Sequence, residues 1–410
     1  MARQMKESDI QWIGRIPIEW ELPKVKHLFN IGRGRVISQL ELEDSGYPVY
    51  SSQTKNNGCL GYISTYDFDR SQLTWTTDGA NAGTVFLREG KHNCTNVCGT
   101  LMPKNDKHNL LFLKYALEFI AIYHKRADIN GYKIMNNEMA EIIITLPPRK
   151  EQDAIANYLE QKCSEIDAVI AKTKNTIEEY KKLKQAIVTD AITKGIRNNR
   201  NLLDSGNVWY GDIPADWDVR KLKYMFRIKK DIAGKEGYTV LSITQRGVIP
   251  KNIANNEGQL AENYSNYQLV EPGDFAMNHM DLLTGWVDIS QYSGVTSPDY
   301  RVFVLLDEKN NHSKYYLYLM QMCYTNRIFY GLGQGVSGLG RWRLQADKFL
   351  NFTIPVPSYE EQKEIADYLD KKCAEIDTLI EKKTALLAEM ESYKKSVIYE
   401  YVTGKKEVIQ

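Results

Sequence analysis

The chain has 410 residues, 43% hydrophobic and 26% charged, and a formal net charge of +1. That length exceeds one ordinary core, so two or more domains are expected. The near-neutral charge excludes a protein coated in positive charge for nucleic acid, though not a local basic face.

The N-terminus, MARQMKESDI, lacks the apolar core of a secretion signal. The most apolar run, Tyr315 to Tyr324, is far shorter than the roughly 18 residues of a membrane span. Six cysteines (59, 94, 98, 163, 323 and 373) form no dense framework, so a cytoplasmic location is expected.

WIGRIPIEWELPKVKHLF (Trp12 to Phe29) leads into a basic cluster after Trp20: Lys24, Lys26, Arg33 and Arg35. YPVYSSQTKNNGCLGYIST then reads as an aromatic-rich strand, a polar turn and a second strand. The turn holds Ser52, Gln53, Thr54, Lys55 and Asn57, side chains of the kind that read base edges. Cys94 and Cys98 near His92 suggest a metal, but no second Cys/His pair follows at zinc spacing, so no metal site is assigned. Lys133 follows in GYK, and a β-like run to Pro147 closes a first globular unit expected over residues 1–147.

From Pro148, a residue tolerated at the start of a helix, apolar or small residues recur at spacings of three and four. They are Ile155, Leu159, Cys163, Ile166, Ile170, Thr173 and Ile177. This seven-residue seam predicts a coiled-coil helix over 148–196, stopped near Gly195.

The opening motif then returns as WYGDIPADWDVRKLKYMF (Trp209 to Phe226), at an offset of 197, with Lys221 and Lys223 in place of Lys24 and Lys26. YTVLSITQRGVIPKN repeats the strand–turn–strand form around Thr244, Gln245 and Arg246. MNHMDLLTGWVDIS contributes Asn278 and His279, and the glycine-rich GLGQGVSGLGRWR contributes Ser337, Arg341 and Arg343. Glycine permits close backbone approach, and arginine supplies forked donors for phosphate or guanine. This second unit is expected over 197–356. Within it, Asp299, Asp307 and Lys309 imitate a metal-dependent nuclease triad, one alternative reading.

Beyond it, EQKEIADYLDKKCAEID repeats EQDAIANYLEQKCSEID, 210 residues earlier, at eleven of seventeen positions. Ser358 and Glu361 form a capping-box pattern. The seam continues through Ile365, Leu369, Cys373, Ile376, Ile380 and Leu387, interrupted at Lys383, and a second helix is expected over 357–410. Each helix, about 40 residues at about 1.5 Å per residue, would be roughly 60 Å long and needs a partner; the simplest is the other helix. Acidic residues match basic ones from 151 to 197 and outnumber them from 357 onward, so neither helix attracts a polyanion. A coiled-coil scaffold with no DNA role is the second alternative.

No GxxxxGK[ST] loop, no GxGxxG after a strand and no Asp/Asn-Pro-Pro-Tyr tetrad occurs. The expected fold is α+β: two pseudo-repeated globular units separated by two long helices packed as an antiparallel coiled coil.

The paired WIGRIPIEW and WYGDIPADW openings, MNHMDLLTGWVDIS…GVTSPDYRVF, RWRLQADKF and the twin helices together resemble the specificity subunit of Type I restriction–modification systems. That resemblance implies a subunit without catalysis, whose two target-recognition domains each read half of a split duplex site. It implies helices that set the gap and dock two methyltransferase subunits. S-adenosylmethionine then belongs to those partners, and ATP and Mg²⁺ to a pair of restriction subunits where these are present. The first unit has WTTDGANAGTVF where the second has MNHMDLLTGWV, so the two are expected to read different half-sites. Alone, the chain is expected to be poorly soluble.

Overall fold

A computed structural model describes residues 3–129, 131–252, 263–335 and 342–408. Its main helices are α1 (Leu110–Ala121), α2 (Asn136–Glu141), α3 (Arg149–Lys194), α4 (Ser313–Thr325), α5 (Ala346–Asn351) and α6 (Tyr359–Val402). The long helices α3 and α6 have 46 and 44 residues. Among the described residues no helix is long and apolar enough to cross a membrane. The chain divides into two compact units, residues 1–174 with 384–410 and residues 175–383.

In the first unit the strands are β1 (Phe29–Arg33), β2 (Tyr47–Tyr50), β3 (Cys59–Ile63), β4 (Phe68–Asp69), β5 (Gln72–Thr76), β6 (Val85–Arg88), β7 (Lys91–Cys94) and β8 (Cys98–Pro103), followed by the hairpin β9 (Arg126–Asp128) and β10 (Gly131–Lys133). One antiparallel sheet has the order β1-β8-β5-β6, and a second has β3-β2-β7-β4 with β2 and β7 parallel. Every residue of β5 is buried, so that strand shows no alternation of apolar and polar residues. Its core gathers Trp20, Phe29, Leu73, Trp75, Leu101, Phe112 and Leu117. Ile155, Leu159 and Cys163 of α3 and Val397, Ile398 and Val402 of α6 join that core.

In the second unit the strands are β11 (Phe226–Lys229), β12 (Leu241–Thr244), β13 (Gly247–Pro250), β14 (Gln268–Val270), β15 (Phe275–Met277), β16 (Val287–Ile289), β17 (Gly294–Thr296) and β18 (Arg301–Leu305), then β19 (Gln334–Gly335) and β20 (Trp342–Arg343). The main sheet runs β11-β18-β15-β16, the order found in the first unit. The β12–β13 hairpin and the antiparallel β14–β17 pair are linked by a parallel bridge between Val240 and Val295, matching the β2–β7 pairing. The dissimilar middles of the two repeats therefore share one topology.

One exchange shows how the same sheet tolerates different residues. In the first unit the Trp75 ring lies on Gly99, where a Cβ would come within 2.3 Å of it, and the indole Nε1 donates to Ile134 O at 3.1 Å. Aligned sheet registers put Met277 opposite Arg301 at these positions. There the guanidinium, not an indole, donates to Leu344 O, at 2.9 Å. Large-plus-glycine has become medium-plus-long, with the equivalent carbonyl capped.

The repeated helix text is explained at the helix starts. Glu151 accepts from Trp20 Nε1 at 3.0 Å and from both Arg3 nitrogens at 2.6 and 2.8 Å. Glu361 accepts from Trp217 Nε1 at 3.1 Å and from both terminal nitrogens of Arg200. The following glutamine donates to the preceding proline carbonyl, Gln152 to Pro147 O at 2.8 Å and Gln362 to Pro357 O at 2.9 Å. Its oxygen accepts the backbone N–H at the start of the neighbouring helix: Asn109 before α1, His312 before α4, each at 2.8 Å. The helix ends meet the same anchors. A Cβ on Gly195 would approach Trp217 and Glu361, and one on Gly404 would approach Pro17 and Trp20.

Within each unit the two long helices run antiparallel. Lys394 Nζ reaches Asp167 at 2.6 Å in the first unit, and Lys184 Nζ reaches Asp377 at 2.6 Å in the second. Ile155, Leu159, Cys163, Ile166, Ile177, Ile365, Leu369, Cys373 and Ile376 are buried, whereas Ile170, Ile380 and Leu387 are half-buried. The terminal seam residues bury against the globular cores as well as against the partner helix. Burial there is worth about 1.5–3 kcal/mol per large aliphatic side chain, which the helices' intrinsic propensity does not supply.

Candidate nucleic-acid interface

Three segments converge in the first unit. They are the β2–β3 connection (51–58), the β5–β6 connection (77–84) and the β9–β10 hairpin. Thr77 N donates to Ser52 Oγ at 3.1 Å, and Asn81 Nδ2 donates to Thr54 Oγ1 at 3.2 Å. Lys133 and Tyr132 pair with the strand Asp78–Gly79. Ser52 and Gln53 turn inward, donating to Val97 O and Cys59 O, which leaves Thr54, Lys55 and Asn57 exposed at the tip.

The second unit assembles the equivalent segments. Gln245, at the tip of the β12–β13 turn, donates to Thr284 O at 3.4 Å in the 278–286 connection. Arg343 pairs with Gln334 in the β19–β20 hairpin, and Leu344 N donates to His279 O at 3.0 Å. Thr244 Oγ1 accepts from Arg246 N and donates to Gly247 O, closing the short turn on itself. A cavity of about 570 Å³ lies beside it, lined by Ser242, Asn278, Asp281, Thr284 and Asp299 among others. Burial, reinforced by the Arg301 and Arg343 charges, pushes the His279 pKa down to about 3, so its ring is neutral. Asn278 anchors through its carbonyl, which accepts from Tyr324 Oη at 2.7 Å.

Other expected site residues lie outside these clusters or are already paired. Lys24 and Lys26 both bind Glu141, at 2.6 Å each, and these two lysines hold its carboxyl down to about 2. Arg33 donates to Asn136 at 3.1 Å, Arg35 faces Asp67 at 3.2 Å and Glu41 at 3.4 Å, and Lys133 pairs with Asp128 at 2.6 Å. Lys221 ends the strand Asp218–Lys221, which pairs with Thr353–Val356, and Lys223 lies over the Tyr224 ring. Ser337 and Arg341 fall outside the described residues.

The nuclease alternative is corrected by geometry. Asp299 precedes β18 and Asp307 follows it, so they lie beyond opposite ends of a five-residue strand about 13 Å long and are not set side by side to share one ion. Asp307 instead accepts from Asn310 Nδ2 at 2.7 Å in an exposed turn. Both ring nitrogens of His92 face protein partners, Gly90 O at 2.8 Å and Gln72 Nε2 at 2.9 Å. Asn81 and the Asp281–Thr284 stretch belong to the clusters but were not singled out in the sequence. Their one signal was a polar, glycine-containing connection between buried strands.

The family model "Type I restriction modification DNA specificity domain" matches twice, over residues 17–179 and 214–389. The type I restriction enzyme MjaVIII specificity subunit of Methanocaldococcus jannaschii is 27% identical over 420 residues, 95% of this chain and 94% of that one. The N-terminus of type I specificity subunit S.MpnORF289P of Mycoplasma pneumoniae is 43% identical over 139 residues, 33% of this chain and 74% of that one. A solved chain from a study of complex assembly and conformational transition in the type I R-M system covers 95% of this chain and 99% of its own at a TM-score of 0.66 and 13% identity, and it shares the fold.

Proposed function

The chain belongs to the Type I restriction–modification DNA specificity family, and on that footing we propose which of its residues do the reading. It is a DNA-recognition subunit, with the chemistry of modification carried by other subunits; neither the nuclease nor the DNA-free scaffold is supported. Each globular unit reads one half of a bipartite duplex site. In the first, the exposed tip Thr54, Lys55 and Asn57 faces the bases with Asn81 beside it. In the second, Gln245 and Arg246 take that place, with Arg343 on the adjoining hairpin.

The observation that carries this reading is the recurrence of one three-segment cluster on one sheet topology, with different side chains at equivalent tips. A common scaffold with exchanged tips is what two readers of two different half-sites require.

The long helices set the gap and dock methyltransferase subunits. The two helices repeat each other, down to the equivalent Asp167–Lys394 and Lys184–Asp377 pairs on their surfaces, and so offer two near-equivalent docking places, hence two copies. Those subunits bind S-adenosylmethionine and flip the target base from the duplex. A full complex adds restriction/translocase subunits driven by ATP with Mg²⁺.

The experiment is an exchange. Residues 197–356 are replaced by the matching segment of another family member, and the methylome of cells carrying the hybrid with its methyltransferase is sequenced. One half-site changes and the other stays. Change in both halves would overturn independent reading, and an unchanged methylome would overturn delivery by this chain.

A further inference from the structure

We propose that Arg88 is a positioning residue for DNA reading by the first unit: through Asn57 it holds the 54–57 tip in the conformation that presents Thr54, Lys55 and Asn57 to a duplex. This rests on the reading role proposed above.

Arg88 ends β6 and is 2% exposed. Its guanidinium carbon lies 3.6 Å from the Tyr50 ring centre and 4.3 Å from that of Phe86. Nε donates to Thr74 Oγ1 at 3.1 Å, and Nη1 donates to Asn57 O at 2.8 Å. Among the described residues no carboxylate pairs with it, and Nη2 is buried without a hydrogen-bond partner. A buried cation without a counter-charge is costly, and an apolar side chain would fill the space better. What the guanidinium supplies that an apolar group cannot is a planar group fixed by Thr74 at one nitrogen that aims a second at the Asn57 carbonyl of the loop above it.

That loop needs a brace. Asn56 (φ 48°, ψ 43°) and Asn57 (φ 50°, ψ 34°) are both left-handed; asparagine tolerates that region better than other side chains, but two in succession at an exposed tip gain from a fixed contact beneath them. Gly58 (φ +78°) presses against the same group, since a Cβ there would lie 2.7 Å from Arg88 Nη2.

The second unit supplies the control. Sheet register places Ser290 where the first unit has Arg88, because Gln72 faces Arg88 and Asp274 O accepts from Ser290 N. There the matching connection is only Gln245 and Arg246, and Thr244 closes it. The long connection occurs with the buried arginine, and the short one with serine.

The test uses the full chain with its partner methyltransferase, and reads each half-site by sequencing methylated genomic DNA. Arg88→Met is expected to lower base preference about tenfold at one or more positions of the half-site read by the first unit. The other half-site keeps wild-type preference, which reports an intact fold. Arg88→Lys, with one donor in place of a fork, recovers part of the preference. Gly58→Ala keeps the arginine but displaces it, and is expected to relax the same half-site. Wild-type preference in both Arg88→Met and Gly58→Ala would overturn the inference. So would lost methylation in Arg88→Met beside wild-type preference in Gly58→Ala, because Arg88 would then only hold the fold. A wild-type chain that confers no split motif removes the reading role itself.

Discussion

The indole of Trp217 donates to a carboxylate oxygen of Glu361 at 3.1 Å, deep at the start of α6. Glu361 is 2% exposed and holds Arg200 as well, so one carboxylate joins the opening motif of the second repeat to its helix.

Glu361→Ala leaves a buried indole N–H without a partner and a largely buried guanidinium with Asp216 alone. We expect a loss of about 3–5 kcal/mol, the cost of removing one member of a buried pair. Urea unfolding of the full chain followed by tryptophan fluorescence measures it. Glu375→Ala, which breaks the exposed Lys372–Glu375 pair, should cost no more than about 0.5 kcal/mol. Equal effects would mean the anchor is not structural.

Gly99→Ala forces a methyl against the Trp75 ring and should cost about 1–3 kcal/mol. Trp75→Met alone opens a cavity beside a carbonyl left without its indole donor. Together they should cost less than the sum of the two, because the second unit already combines a residue larger than glycine with methionine at these positions. A double-mutant cycle on the unfolding midpoint gives the coupling, and strict additivity would contradict the steric account.

Protonation of His279 is disfavoured in the folded state, where its pKa is about 3 against 6.5 for an unconstrained histidine. The unfolded chain therefore binds the extra proton. Stability from this site is complete above pH 6.5 and drains away as pH falls towards 3. His279→Asn should flatten the fall in urea midpoint between pH 6.5 and 4 relative to wild type. Parallel pH profiles would show that the ring does not titrate as stated.

Lys24 and Lys26 already share Glu141. Replacing both with alanine should leave duplex affinity within about threefold, whereas Lys55→Ala with Arg246→Ala should weaken it about tenfold or more. The second pair removes two positive charges from the duplex surface and should lower the slope of log K against log salt by no more than about 2, the value for two lost phosphate contacts. Fluorescence anisotropy across a salt series, on a duplex carrying the methylated motif, distinguishes the two.

The long-range features were legible in the sequence because they repeat. The heptad spacing from Ile155 to Ile177 and the twin Glu–Gln starts announced both helices, and the polar QTKNNG and TQRG turns marked the hairpins that carry the tips. The shared sheet was not legible. β5 is buried on both faces and shows no alternation, and the exchange of Trp75–Gly99 for Met277–Arg301 keeps the register while erasing identity. Nor could spacing reveal that Glu141, 117 residues from Lys24, pairs with both lysines of the first basic cluster. α2 and α5 have no sequence signature because each is a single run of six residues, too short to show a helical period.

The division of the chain into its compact units has a consequence for synthesis. The second unit is one unbroken stretch, 175–383, whereas the first closes only with residues 384–410. Val397, Ile398 and Val402 are buried in the first unit's core, and Thr145 Oγ1 donates to Val402 O. On the ribosome, a domain made first usually folds first. Here the segment made first must wait, with the apolar face of its early helix uncovered, until the second domain has been completed and the last turns of α6 have emerged. The unit that begins the chain is the last to be finished.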